Sequence, residues 1–196
     1  MILDIFKIPV FVSKLNFENF NHHSIVNKLK NQYIEDKLKT PKHWICNTKT
    51  FDIDIIKDYR YILDIITDNT KKFLDELLAN YKNGIFLTDA WFNYSVKNDY
   101  QEFHIHTKRH ISGVYYIKAP KNCGNIIFRK PNLNMFELNG KSSKEKTYLN
   151  ETYFFTPEEG LLLLFPSNLE HLVEKNLSDE ERVSLSFNYV IKDENE

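Results

Sequence analysis

The change in character at Ile85 limits this fold more than any other feature of the chain. Downstream of it the runs IFLTDAWFNYSV, EFHIH, ISGVYYI, GNIIF, TYFF, GLLLLF, EHLV and RVSLSFNYVI follow one another. Turn material such as Lys97 to Asp99, Pro120 to Gly124 and Pro157 to Gly160 separates them. Short runs rich in β-branched and aromatic residues and bounded by breakers read as strands, here eight of them. Upstream the apolar residues recur at helical spacing. Asn19 or Asn21 caps a helix running to about Lys37, with Phe20, Ile25, Leu29, Tyr33 and Ile34 on one side. A second helical region runs from about Asp54 to Tyr81, through Ile55, Ile56, Tyr59, Ile62, Leu63 and Ile66, then Phe73, Leu74, Leu77 and Leu78. Asn83 and Gly84 stop it. Helices followed by strands predict an α+β protein, with the helices packed on one face of an antiparallel sandwich or barrel.

With 196 residues, 42 % of them hydrophobic, the chain can bury one sizeable core and not two. One domain over 1–196 is expected, divided into a strand and supporting helices (1–84) and a β core (85–192). The opening MILDIFKIPVFVSKLNF carries Asp4, Lys7 and Lys14 within one helical span and no small-residue cleavage site, so it reads as a core strand, not a leader or a membrane anchor. Basic and acidic side chains number 26 and 27, which removes the electrostatic footprint of a nucleic-acid or membrane-surface binder. Cys46 and Cys123 form no disulfide or zinc pattern, as suits a reducing cytoplasm.

Three histidines crowd the stretch FHIHTKRHISGVYY, in a chain that has seven. Residues two apart on a strand share a face, so His104 and His106 point together while Ile105 faces away. Two imidazoles make half a metal site, and His171, after the apolar run Leu161 to Phe165 and a turn, is the candidate third ligand. His110 falls after the turn through Thr107 to Arg109 and reads as a loop residue. His22, His23 and His43 read as solvent-facing. In RVSLSFN the alternate residues Arg182, Ser184, Ser186 and Asn188 are polar and Val183, Leu185 and Phe187 apolar. Such a face meets either water or a wet, ligand-filled interior. Inside, the arginine offers a bidentate fork for a carboxylate and Ser184 a hydroxyl to the same anion. Each residue also has an ordinary reading. Histidine pairs are often incidental, Tyr116 and Trp91 suit a β core, and Arg182 could pair with the acidic turn Ser178 to Glu181 for under about 1 kcal/mol.

Taken together, HxH, SGVYY, an FPSxLxH element and an RxSxSFN strand resemble the 2-oxoglutarate- and Fe(II)-dependent oxygenases. The likeness is to a bacterial and phage branch, with Trp91 and Asn93 of AWFN supplying its W-x-N. It is strongest from Ala90 to Asn188. The resemblance implies a double-stranded β-helix, the jelly-roll or cupin-like barrel, with the N-terminal helices on one sheet. It implies Fe(II), 2-oxoglutarate and O2 as cofactor and cosubstrates, and a cytoplasmic enzyme of a bacterial or phage-infected cell. It makes His104, His106 and His171 iron ligands, Arg182 and Ser184 the anchor of the distal carboxylate of 2-oxoglutarate, Tyr116 a phenol on that carboxylate, and Asn93 a lining residue. The expected reaction is hydroxylation of an unactivated C–H bond, with 2-oxoglutarate and O2 going to succinate and CO2. One departure stands out: most of the superfamily has a carboxylate at the second ligand position, where this chain has His106. Either three histidines operate, or Glu102, two residues before His104, replaces one of them. The polar loop Pro131 to Asn150 is the candidate lid over a substrate that no motif identifies. Two rival readings remain: a cupin-like three-histidine dioxygenase or isomerase that does not use 2-oxoglutarate, and a non-enzymatic β-sandwich binding module. The oligomeric state stays open, a homodimer included.

Overall fold

The computed structural model describes residues 7–15, 21–52, 59–82, 84–131 and 151–192. Among them the elements run β1 (Phe11–Lys14), α1 (His22–Ile34), β2 (Lys49–Asp52), α2 (Arg60–Glu76), β3 (Ile85–Ser95), β4 (Gln101–His104), β5 (Ile111–Lys118), β6 (Ile126–Arg129), β7 (Thr152–Phe155), β8 (Leu161–Pro166), β9 (His171–Val173) and β10 (Arg182–Ile191). Helices precede most of the strands, as expected. All eight expected runs contain a strand, β1 falls in the opening stretch that was also read as a strand, and β2 is added to them. The strands form a six-stranded sheet in the order β1-β8-β5-β10-β3-β2 and a four-stranded sheet in the order β4-β9-β6-β7. Among the described residues these two sheets are not joined by hydrogen bonds into a closed barrel, so the double-stranded β-helix is an open one.

β5 and β8 lie inside the large sheet and are apolar on both faces, because each face has its own core to fill. Tyr115, Ile117, Leu162 and Leu164 point toward the helices, where they meet Ile62, Ile66, Phe73 and Leu74 of α2 and Leu29 of α1. Val114, Tyr116, Leu163 and Phe165 point the other way, onto Ile126 and Phe128 of the small sheet. Burying a side chain of this size contributes about 1.5–3 kcal/mol, which is what holds helices of 13 and 17 residues that would be marginal alone.

The ends of the elements differ from expectation. α1 starts after Asn21, whose side chain accepts the Ser24 N–H at 2.9 Å, and it stops at Ile34, three residues early. α2 ends at Glu76; Leu78, with φ 54°, turns the chain before Gly84 does. β1 is an edge strand with alternate residues exposed, not a core strand. Asn19, Asn83 and, apart from Pro131, the expected lid lie outside the described residues. Among the described residues no helix is long and apolar enough to cross a membrane.

Candidate metal and cosubstrate site

The small sheet brings the histidines together. His104 ends β4 and His171 opens β9, and the two are direct partners in the antiparallel ladder. His106, just past β4, is held by its backbone N–H on the Ser167 carbonyl at 2.9 Å. Ring centroids lie 4.2 Å apart for His104 and His171, 5.2 Å for His104 and His106, and 5.3 Å for His106 and His171. One ring nitrogen of each comes within 4.8 Å of the other two.

Local hydrogen bonds set the tautomers. His104 Nδ1 lies 2.8 Å from the Glu102 carbonyl and His171 Nδ1 2.9 Å from the Leu169 carbonyl. A carbonyl only accepts, so both Nδ1 atoms carry the proton and both Nε2 lone pairs stay available, the usual preparation of a metal-binding imidazole. Burial pushes all three pKa values below the ordinary histidine value, His171 well below it and His106 to about 4, with His104 adding to the shift at both. The rings are thus neutral near pH 7, as ligands must be. Glu102 gives His104 its carbonyl; its exposed carboxylate stays out of the cluster. Of the two alternatives left by the sequence, the structure gathers His106 with the other histidines.

A cavity between the sheets runs from these imidazoles to Arg182 and is lined on the way by Tyr116, Ser184, Ser186 and Asn93. Strand register explains the grouping: Ser184 is paired with Asn93 on one side and with Tyr116 on the other. The polar face of β10 therefore lines the interior, and its apolar face meets the helices. Arg182 is 4 % exposed and donates to the backbone carbonyls of Cys123 and, at 3.4 Å, Gly124, and to Ser95 Oγ at 3.3 Å. No carboxylate pairs with it among the described residues, and the acidic turn considered for it is taken by Lys118, which binds Glu180 and Glu181 at 3.0 Å each. Asp99 acts on Arg182 only at longer range; a buried cation with no carboxylate in direct contact is costly, so this end of the cavity suits an anion. Burial raises the Tyr116 pKa and keeps its phenol protonated, although Arg182 nearby opposes the shift. Among the described residues that hydroxyl has no hydrogen-bond partner, which leaves it a donor facing the cavity.

Asn93 is committed to bracing. Its amide donates to Ser186 Oγ at 2.8 Å and Ser184 Oγ at 3.4 Å, and its oxygen accepts the Trp91 indole N–H at 3.1 Å. Trp91, expected in the core, instead stacks on His106 with centroids 6.0 Å apart and lines a second, wider cleft at the mouth. His110 is a loop residue as expected; its Nδ1 accepts the Ile191 N–H at 2.8 Å and ties the loop to β10. His22 is not solvent-facing, since it bridges the Tyr115 hydroxyl and Glu159 at 2.9 Å each. His43 packs edge-on against Trp44 at the cleft. Ser186 was readable from the alternation that exposed Ser184. The carbonyls of Cys123 and Gly124 carried no signal, because a turn's backbone is invisible in side-chain pattern.

Three neutral nitrogens at one end of a cavity and an unpaired guanidinium at the other suit a divalent ion bridged to a dicarboxylate. The known proteins agree. No curated protein sequence matches the chain significantly. Solved structures with the same fold include a prolyl-4-hydroxylase of Pseudomonas putida, at 14 % identity over 95 % of this chain and 94 % of that one, with a TM-score of 0.63. A prolyl hydroxylase of Trichoplax adhaerens, solved with a hypoxia inducible factor peptide fragment, has 16 % identity, 93 % and 83 % coverage and a TM-score of 0.63. HygX of Streptomyces hygroscopicus, solved with nickel, 2-oxoglutarate and hygromycin B, has 12 % identity, 93 % and 82 % coverage and a TM-score of 0.58. A family model described as "Putative 2OG-Fe(II) oxygenase" matches residues 89–188, which hold all three histidines and Arg182. The match spans just over half of the 196 residues, and the chain therefore belongs to the 2-oxoglutarate and Fe(II) oxygenase family as an Fe(II)- and 2-oxoglutarate-dependent dioxygenase.

Proposed function

We propose that the protein hydroxylates an unactivated C–H bond of its substrate, with His104, His106 and His171 holding Fe(II) and Arg182, Tyr116 and Ser184 holding the distal carboxylate of 2-oxoglutarate. The single observation that carries this is the unpaired, buried Arg182 across the cavity from three neutral imidazoles. When bound, iron and 2-oxoglutarate supply the oxidising power, with the cosubstrate going to succinate and CO2. The chain's own residues bind and orient. Arg182 neutralises the far carboxylate, the Tyr116 phenol and the Ser184 hydroxyl donate to it, and Asn93 keeps the serines in position. Val114, Ile126, Phe165 and Val173 flank the cavity and limit water between its two ends. Family membership counts against both a cupin-like enzyme that does without 2-oxoglutarate and a non-enzymatic module.

Anaerobic addition of Fe(II) and 2-oxoglutarate tests this. The visible metal-to-ligand charge-transfer band is expected to appear, and its absence from folded protein would overturn the proposal. Removing one partner of a buried charge pair costs about 2–5 kcal/mol. Arg182→Ala should therefore weaken 2-oxoglutarate roughly thirtyfold or more while iron binding holds. Equal losses of both ligands would mean that the cosubstrate lies elsewhere.

A further inference from the structure

The cleft at the mouth opens over His104 and His106 and has a volume of about 830 Å³. That is room for one small organic molecule and more than dioxygen needs. Its distinctive wall is an aromatic corner. Trp44 and Trp91, the chain's two tryptophans, meet with centroids 6.1 Å apart and planes at 66°, so a flat ring can lie against one while its edge meets the other. The corner is preformed. The indole of Trp91 is tied to Asn93, and Trp44 sits in a turn whose backbone N–H binds the Pro41 carbonyl at 3.0 Å. That turn is fastened by Thr40 Oγ1 on the Thr48 carbonyl at 3.1 Å and by a bridge between Cys46 and Gln101 of β4. Ile45 and Ile105, 72 % and 47 % exposed, extend the apolar surface.

Of the three charged side chains described on the cleft, Asp89, Glu102 and Arg109, two pair with each other. Arg109 grips Asp89 with two hydrogen bonds, of 2.6 and 3.1 Å, so each neutralises the other. Three neutral imidazoles leave a ferrous centre one unit more positive than a set containing a carboxylate, and Glu102 on the same cleft supplies one negative charge. No lysine is among the lining residues. Among the described lining residues an anionic recognition group would find no unpaired cation and a cationic one only the exposed, well-hydrated carboxylate of Glu102, whereas an uncharged ring gives up little hydration and gains two aromatic walls.

We propose that the primary substrate is a small molecule recognised through an uncharged, flat aromatic or heteroaromatic ring, lodged in the corner of Trp44 and Trp91 beside the histidines. This rests on the oxygenase reading of the site. With only two tryptophans, full-length protein labelled with 5-fluorotryptophan gives two ¹⁹F resonances, assignable with Trp44→Phe and Trp91→Phe, that both report on the cleft. The probes are naphthalene-2-carboxamide, its charged counterparts 2-naphthoate and 2-naphthylmethylammonium, and the saturated decahydronaphthalene-2-carboxamide, titrated with Zn(II) and 2-oxoglutarate present and again without them. The aromatic carboxamide should shift both resonances saturably and bind at least tenfold more tightly than the other three. Trp44→Leu should lose tenfold or more of that affinity, and Trp44→Phe, which keeps an aromatic face, far less. Either naphthyl ion binding as well as the carboxamide overturns the proposal, and so does the saturated amide doing so. The charge-transfer titration is read separately. A missing band beside intact ring selectivity defeats the oxygenase reading and supports the slot, while a normal band without ring selectivity defeats the slot alone.

Discussion

At position 106 an imidazole stands where most of the superfamily has a carboxylate, and the surroundings fit the imidazole. The ring lies parallel to His171, 7° between planes, and stacks on Trp91. A carboxylate there would lose both contacts but return a negative charge to the centre. The second effect should dominate for a hard, doubly charged ion. His106→Asp is thus expected to bind Fe(II) about tenfold more tightly or better, a change of about 1.4 kcal/mol, and His106→Ala more weakly than either. Anaerobic competition against a chromophoric chelator measures all three, and an Asp variant that binds no better than wild type would show that stacking outweighs charge. The site's directional residues were legible because strand period two sorts side chains by face: it separated His104 and His106 from Ile105, and Arg182, Ser184 and Ser186 from Val183, Leu185 and Phe187. What stayed hidden depends on distant backbone. Nothing local to Arg182 reveals that its guanidinium meets Cys123 and Gly124, or that His22 meets Tyr115.

β5 shows how a strand with two packed faces constrains its own sequence. Gly113 sits where a Cβ would come within 2.4 Å of two Phe187 ring carbons and 2.8 Å of Leu164 Cδ2. Both neighbours are fully buried on the helix side and have nowhere to retreat. Overpacking a core typically costs about 1–3 kcal/mol, so Gly113→Ala should lower stability by at least that much, read as a lower urea midpoint at an unchanged slope. A neutral result would mean that the sheet and helices part more readily than their packing implies. The same two-faced burial made β5 and β8 easy to recognise, as continuous apolar runs between turns. β2 was missed because KTFD is too short to show a period, and only its pairing with β3 makes it a strand. β1 was mistaken for a core strand because its apolar residues are real, while its position at the sheet edge follows from pairing with β8 alone. Whether two sheets close into a barrel depends on strand tilt and stagger, which no local pattern encodes.

On the scale of the whole molecule, the site weakens the fold in acid. In the unfolded chain His104, His106 and His171 take up protons near the ordinary value of about 6.5. In the folded chain burial holds all three pKa values below that, His106 at about 4. Between those limits the unfolded state binds more protons, so stability rises with pH and falls as the solution is acidified. Metal-free protein should therefore lose melting temperature progressively from about pH 6.5 toward pH 4, and His106→Asn should flatten part of that slope. A bound divalent ion acts in the opposite direction, since it selects the folded state. At a hundredfold excess over its Kd it adds about 2.7 kcal/mol, or about 5–10 °C for a chain of this size. Burial keeps the native imidazoles neutral to lower pH than exposed ones, so this metal-induced shift should persist below the ordinary histidine value of about 6.5 even as the metal-free baseline sinks. Differential scanning fluorimetry with and without Co(II), from pH 8 to pH 4.5, reads both trends. A metal shift that vanishes already near pH 6.5 would mean that the histidines protonate as exposed groups do and that the site opens to water in solution.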